Sequence, residues 1–222
     1  ITGRQNTQML SFSSSISKDH LLVKHLNESI QLPIILGTGD SIEIKIFSSL
    51  AHGIEISDQV NSWFSERLNQ NCRAVILNTN KKRQVQEKHG GQSDDFVGFA
   101  DMNSVLLISQ ESLGDLNSRL DNSISMRNFR PNIVVQGCKP YEEDNWGEIR
   151  IGECQFKVVQ KCERCVFTTI DPDTFERNKN SEPLRTLAKY RRTQSGDVAF
   201  GVHMIPEKLG TIRVGDSVEI LT

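Results

Sequence analysis

No run of apolar residues in this 222-residue chain is long enough to cross a bilayer, and no signal-peptide pattern opens it. Positive charge is not in excess: 26 Lys and Arg stand against 28 Asp and Glu, a formal net charge of −2. A nucleic-acid polymer demands clustered cationic side chains, so the balance argues against that class of partner. It leaves room for a local basic pocket holding one small anion. Cysteine is sparse, odd in number and scattered, at Cys72, Cys138, Cys154, Cys162 and Cys165. That is not a secreted disulfide framework, and it points to a reducing compartment. A second C-x-x-C and a paired-histidine motif are both missing, which argues against a four-ligand zinc site. Internal repeats and low-complexity tracts are missing too. So is an initiator methionine: the chain opens on Ile1-Thr2-Gly3-Arg4-Gln5 and reads as a fragment of a longer protein.

What is present describes an ordinary globular protein, 36% hydrophobic and 24% charged. The length is enough for one large domain or two small ones with a buried core. Residues 1–56 read as several short strands, with β signals at Leu21-Leu22-Val23 and a period-two alternation over Ser41–Ile46. Gly37-Thr38-Gly39-Asp40 is the turn expected between them. Val60, Trp63, Phe64 and Leu68 share one helical face, predicting a helix over 57–70 that Ser57 or Asp58 can cap. A strand is expected at 73–77. The polar stretch 78–95 has no periodicity and is expected to be an exposed loop. It would separate a first region, 1–77, from a second, 96–222.

The second region opens on Val105-Leu106-Leu107-Ile108, a buried strand by its continuous apolar run. A helix through Leu113, Leu116 and Leu120 follows, then a strand at Ile133-Val134-Val135. Glu148–Gly152 and Cys154–Val158 form a hairpin-like pair. Val166–Ile170 is expected to be a strand from its β-branched content. Pro183 opens a helix through Leu184, Leu187 and Ala188. The stretch Ile212–Ile220 is expected to close the chain as two short strands across a turn. Many short strands with a few helices predict an α+β, β-rich fold, a partly closed β-barrel with peripheral helices.

Chemistry centres on Cys162-Glu163-Arg164-Cys165. A thiolate here is favoured by the neighbouring Lys161 and Arg164, and a soft thiolate suits a soft, redox-active metal. A thioredoxin-like redox pair would open a helix, whereas the sequence after Cys165 reads as a strand. Two readings stay open: a single-thiolate metal ligand, or two inert buried thiols.

The flanks carry more. Leu116-Asn117-Ser118-Arg119-Leu120, Asn128-Phe129-Arg130-Pro131-Asn132, Gly137-Cys138, Tyr141–Trp146, Lys161–Cys165, Glu182–Leu187 and Gly210–Asp216 together resemble the MOSC domain family over about 99–221. In particular they resemble the amidoxime-reducing molybdenum proteins and their bacterial relatives. The resemblance implies a MOSC-type barrel preceded by a β-rich N-terminal MOSC subdomain. It also implies a molybdenum–molybdopterin cofactor ligated by one cysteine, here Cys165. Arg4, Asp101, Asn103, Arg130, Asn132, Glu163, Arg164 and His203 fall at positions that the family uses around the cofactor. Arginine suits bidentate recognition of the molybdopterin phosphate, and Arg4, Arg130 and Arg164 are candidates.

The implied activity is reduction of N-hydroxylated compounds such as amidoximes, hydroxylamines and N-hydroxylated bases. Electrons would come from a partner, either a ferredoxin domain or a separate flavin or haem protein, because the chain has no plant-type iron–sulfur cysteine cluster of its own. The stretch Ser195–Gly201 resembles the bacterial branch, which implies a cytoplasmic setting and a role in detoxification. The alternative is a cofactor carrier or sulfur-transfer module, with a persulfide on Cys165 or Cys162 and no reductase activity.

Overall fold

The computed structural model describes residues 1–34 and 40–222, and the chain divides into two compact units. One holds Ile1–Arg83 with Pro172–Glu176; the other holds Gln84–Asp171 with Arg177–Thr222. Among the described residues, no helix is long and apolar enough to cross a membrane.

The first unit is two three-stranded antiparallel meanders and a helix. β1 (Phe12–Ser17), β2 (His20–His25) and β3 (Glu28–Pro33) make one meander; β4 (Ser41–Ile46), β5 (Ser49–Glu55) and β6 (Val75–Leu77) make the other. α1 (Asp58–Leu68) begins where Ser57 Oγ accepts the Val60 N–H at 3.3 Å. It ends at Asn69, whose left-handed backbone (φ 48°) closes the last turn. Its apolar face does what the period predicts: Val60 packs on Val23 and Leu32, with Trp63, Phe64 and Phe12 around them. Gly37-Thr38-Gly39 of the expected turn lie outside the described residues.

The second unit begins within β7 (Arg83–Gln84), whose partner is the short β8 (Phe96–Val97). Its main sheet has six strands: β9 (Val105–Ser109), β10 (Ile133–Val135), β11 (Glu148–Ile151), β12 (Cys154–Glu163), β13 (Ala199–Lys208) and β14 (Val218–Ile220). They lie in the order β10-β9-β13-β12-β11-β14 and curl into a half-barrel. Only β9 and β10 are parallel, and α2 (Gln110–Asn117) lies in their crossover, as parallel pairing requires a long connection. Two apolar cores pack against the sheet, and register shifts along β12 let residues of like parity, Phe156 and Cys162, serve different ones. Leu107, Val202 and Met204 join Trp146, Ile149 and Phe156 on one face. Leu106, Ile108, Cys162 and Phe200 join Leu113, Leu116, Phe129 and Leu187 on the other. That second core seats α2 and the short α3 (Leu184–Leu187).

Three expectations are corrected. Residues Val166–Thr169 form a 3-10 turn rather than a strand. The Thr168 hydroxyl donates to the Cys165 carbonyl at 3.0 Å and the Thr169 hydroxyl to the Val166 carbonyl at 2.7 Å, local bonds that compete with a ladder. The chain closes with one strand, not two, because 213–216 is a turn: the Arg213 N–H donates to Asp216 Oδ2 at 2.7 Å. The 78–95 stretch is not simply an exposed loop. Val85 is 1% exposed and packs on Val97, Ile205 and Val159, while its N–H donates to the Asp95 carbonyl at 2.8 Å. One valine among polar neighbours gives no period to read. Trp146 sits in the central core.

Candidate functional site

β12 and β13 form the ladder that positions the site. They pair Gln160 with His203 and Lys161 with Val202, with register shifts between Val158 and Gln160 and between Lys161 and Glu163. Such irregularities re-aim side chains near the end of a strand. Past the second shift, the Arg164 N–H donates to the Val198 carbonyl at 2.7 Å. The two cysteines separate here. Cys162 is 5% exposed among Leu106, Phe129, Leu187 and Phe200, and burial raises its pKa. Cys165 is exposed, at the start of the 3-10 turn. Its carbonyl accepts the Thr168 N–H at 3.1 Å, so the backbone under the exposed thiol is pinned.

Arg164 is fixed from behind. Its Nε donates to the Phe200 carbonyl at 2.8 Å and Nη1 to the Phe129 carbonyl at 3.2 Å, and its guanidinium lies over the Phe129 ring at 5.4 Å. Phe129 and Phe200 themselves stack at 4.2 Å. The remaining nitrogen, Nη2, is buried with no partner among the described residues. Burial pulls this guanidinium's pKa below its ordinary value. Lys161 does not support the thiol as its sequence position implied. It pairs with Asp144 at 3.1 Å, beside Arg191 at 2.6 Å.

His203 contributes a second unmatched atom, a buried Nδ1. Burial first, then the charges of Arg164 and His89, lowers its pKa to about 4, against a smaller raising effect of a hydrogen bond with the Val105 backbone. The ring is therefore neutral near pH 7. Asn103, 4% exposed, contributes a third: Nδ2 donates to the His89 carbonyl at 3.3 Å and Oδ1 has no partner among the described residues.

The other sequence candidates sit differently. Asn132 is committed to the fold: its Oδ1 accepts the Leu106 N–H and its own N–H donates to the Leu106 carbonyl, each at 2.9 Å. Arg130 is exposed in a left-handed backbone (φ 56°), its guanidinium 5.5 Å from the Phe167 ring. Asp101 and Glu163 are exposed. Arg4 belongs to the first unit, over the Phe47 ring at 4.7 Å. In the second unit Cys165 and Arg164 are neighbours in sequence, Arg164 and His89 lie within electrostatic reach of His203, and Asn103 donates to the His89 carbonyl. His89 and Gln160 were not foreseen. His89 fell in the presumed loop, and Gln160 carries no motif.

Among the described residues, no three His, Cys, Asp or Glu side chains are arranged to hold a metal ion. A metal on Cys165 would take this one protein donor and its remaining donors from a cofactor. A cleft of about 510 Å³ opens elsewhere, lined by Asp94, Asp95, Phe96, Lys157, Glu207 and Leu209 among others, and none of the candidate residues lines it.

Comparison with known proteins matches the MOSC domain to residues 94–219. Rat "Mitochondrial amidoxime reducing component 2" is 36% identical over 232 residues, 98% of this chain and 68% of that protein. Human "Mitochondrial amidoxime-reducing component 1" is 31% identical over 239 residues, covering 100% of this chain and 69% of its own length. "Molybdenum cofactor sulfurase" of Oryza sativa subsp. japonica is 34% identical over 190 residues, 79% of this chain and 23% of that protein.

Proposed function

The chain belongs to the MOSC domain family, and on that premise we propose that it holds a molybdenum cofactor through Cys165 and reduces N-hydroxylated compounds. The observation that carries this reading is the contrast between the two thiols. Cys162 is sealed in apolar packing, while Cys165 is exposed next to an arginine with an unspent nitrogen. The donor set fits the group. A thiolate suits molybdenum, Arg164 Nη2 is a donor for an anionic oxygen, and Asn103 Oδ1 and His203 Nδ1 are acceptors for ring or amino N–H groups. Buried polar atoms without partners are rare in native folds, and Arg164 Nη2, Asn103 Oδ1 and His203 Nδ1 are among those found here.

When bound, the molybdenum supplies the two-electron redox change. The chain holds it at Cys165 Sγ and keeps Arg164 aimed by two main-chain carbonyls. Apolar packing behind Cys162 keeps water from that side. The balanced reaction adds two electrons and two protons to an N–OH group and yields an N–H group and water. The electrons come from an external donor, a ferredoxin domain or a separate flavin or haem protein. Five unpaired cysteines support a reducing, cytoplasmic setting as part of the same proposal, with detoxification as the role.

A sulfur-transfer reading draws support from the same exposed thiol and from the likeness to the rice sulfurase. One experiment separates them: molybdenum content, pterin fluorescence after oxidative denaturation, and anaerobic turnover of an aromatic amidoxime with a chemically reduced viologen. Metal, pterin and turnover support the reductase. Metal-free protein carrying a persulfide supports sulfur transfer and sinks the reductase.

A further inference from the structure

His89 lies outside every position carried over from the family, yet it touches the site twice. Its carbonyl accepts Asn103 Nδ2 at 3.3 Å, and its Nδ1 lies 3.4 Å from Gln160 Nε2. The Gln160 amide and the His89 ring nitrogen thus lie within hydrogen-bonding distance of each other. Gln160 Nε2 also lies 3.4 Å from Met102 Sδ, which holds the amide from a second side. Gln160 is paired directly with His203 across β12 and β13. His89 stands on a short turn, Glu87–His89, closed by Gly90 at φ 81°. A side chain at Gly90 would come within 2.6 Å of Val159 Cβ, so the turn sits tightly on β12.

These contacts settle orientations. Because Asn103 gives its NH2 group to the His89 carbonyl, its oxygen must face the other way, buried and unmatched. His203 Nδ1 is the second buried, unmatched atom, across the ladder from Gln160.

We propose that His89 is a positioning residue of the cofactor site, holding Gln160 and Asn103 so that Asn103 Oδ1 and His203 Nδ1 face the N–H donors of a bound ligand. The inference rests on the molybdenum-cofactor reading and deepens it. The matching chemical class is an aminopyrimidinone edge, which carries an exocyclic amine and a ring N–H, as the pterin of the cofactor does. His89 acts through Gln160 and Asn103 and touches no reacting atom.

The test uses the full chain with three variants, His89→Leu, His89→Asn and Gln160→Leu. Wild type and the Cys165→Ala variant run alongside. Pterin retained after gel filtration is read by fluorescence after oxidation, and apo-protein is titrated with molybdopterin. Thermal melting scores the fold separately. His89→Leu and Gln160→Leu are expected to raise half-saturation by molybdopterin about tenfold, the equivalent of one modest hydrogen bond. His89→Asn, which keeps a hydrogen-bonding group near the Nδ1 position, is expected to restore tight binding. A merely structural role would lower melting in all three variants without rescue by asparagine. If His89→Leu misfolds, Gln160→Leu alone decides the matter. Wild-type affinity in a folded leucine variant overturns the positioning role while leaving the cofactor reading intact. Wild type that takes up no molybdopterin overturns the cofactor reading, and this inference with it.

Discussion

Cys162 and Cys165 stand three residues apart in opposite environments: the first is 5% exposed within the core under α2, the second is exposed at the mouth of a 3-10 turn. The break between them is the end of β12 at Glu163, after which Arg164 turns inward onto the Phe129 and Phe200 carbonyls. One C-x-x-C spacing therefore holds one packing residue and one available ligand.

Alkylation should read this directly. Cys165 is expected to react with iodoacetamide in the folded cofactor-free protein, and Cys162 only after denaturation, as peptide mass spectrometry would show. Cys165→Ala is expected to lose metal and turnover with its melting temperature unchanged. Full turnover in that variant would remove the ligand assignment.

Cys162→Ser places a hydroxyl among Leu106, Phe129, Leu187 and Phe200. Without a good partner it should lower stability by about 1–3 kcal/mol, measured by urea denaturation. An unchanged midpoint would mean that the thiol is less confined than its packing indicates.

Glu143 is fully buried, and its carboxylate accepts the Ser109 N–H at 3.2 Å, the Ser109 hydroxyl at 3.0 Å and the Ser112 hydroxyl at 2.7 Å. Ser109 caps α2, so the charge also faces the positive end of that helix. Glu143→Ala strips a carboxylate from three donors at once and should lower stability by about 3 kcal/mol or more. Denaturant melts of wild type and variant would check it, and a loss under 1 kcal/mol would contradict the assignment.

His203 predicts a pH dependence. Its folded-state pKa of about 4 lies below the ordinary 6.5, so between those values the unfolded chain binds the proton and the native one does not. Its contribution to stability is full above pH 6.5 and falls as the pH drops toward 4, by at most about 3 kcal/mol. His203→Gln should flatten the stability curve in that window. Equal slopes in the two proteins would show that the ring protonates freely in the fold.

Asn132→Ala tests a residue the resemblance places at the cofactor. Its side-chain oxygen instead accepts the Leu106 N–H within β9. The expected result is a stability loss of about 1–2 kcal/mol with pterin content per folded molecule unchanged. A pterin loss at unchanged stability would return Asn132 to the site.

Much of this was legible from residue order. Helix α1 follows from four apolar side chains at helical spacing and a serine cap, because those interactions lie within a few residues of each other. The β11–β12 hairpin about Gly152 follows likewise, with Ile151 opposite Cys154. The MOSC resemblance rested on long, dense motifs, and the family is the one that the comparison matches to residues 94–219. The 3-10 turn after Cys165 escapes a local reading because threonines at 168 and 169 favour a strand by shape, whereas here their hydroxyls bond to carbonyls within the turn.

Sequence alone determined the family, the β-rich architecture and the cysteine that stands next to an arginine, since each is written in local pattern or motif. Tertiary structure decided which thiol is exposed, that Lys161 serves Asp144, and that Asn132 is tied to β9. It also brought His89 to Gln160 across 71 positions of chain. Those outcomes depend on contacts between distant segments and on which atoms are left unpaired once the sheet closes. No window along the chain contains both partners, so no local reading can supply them.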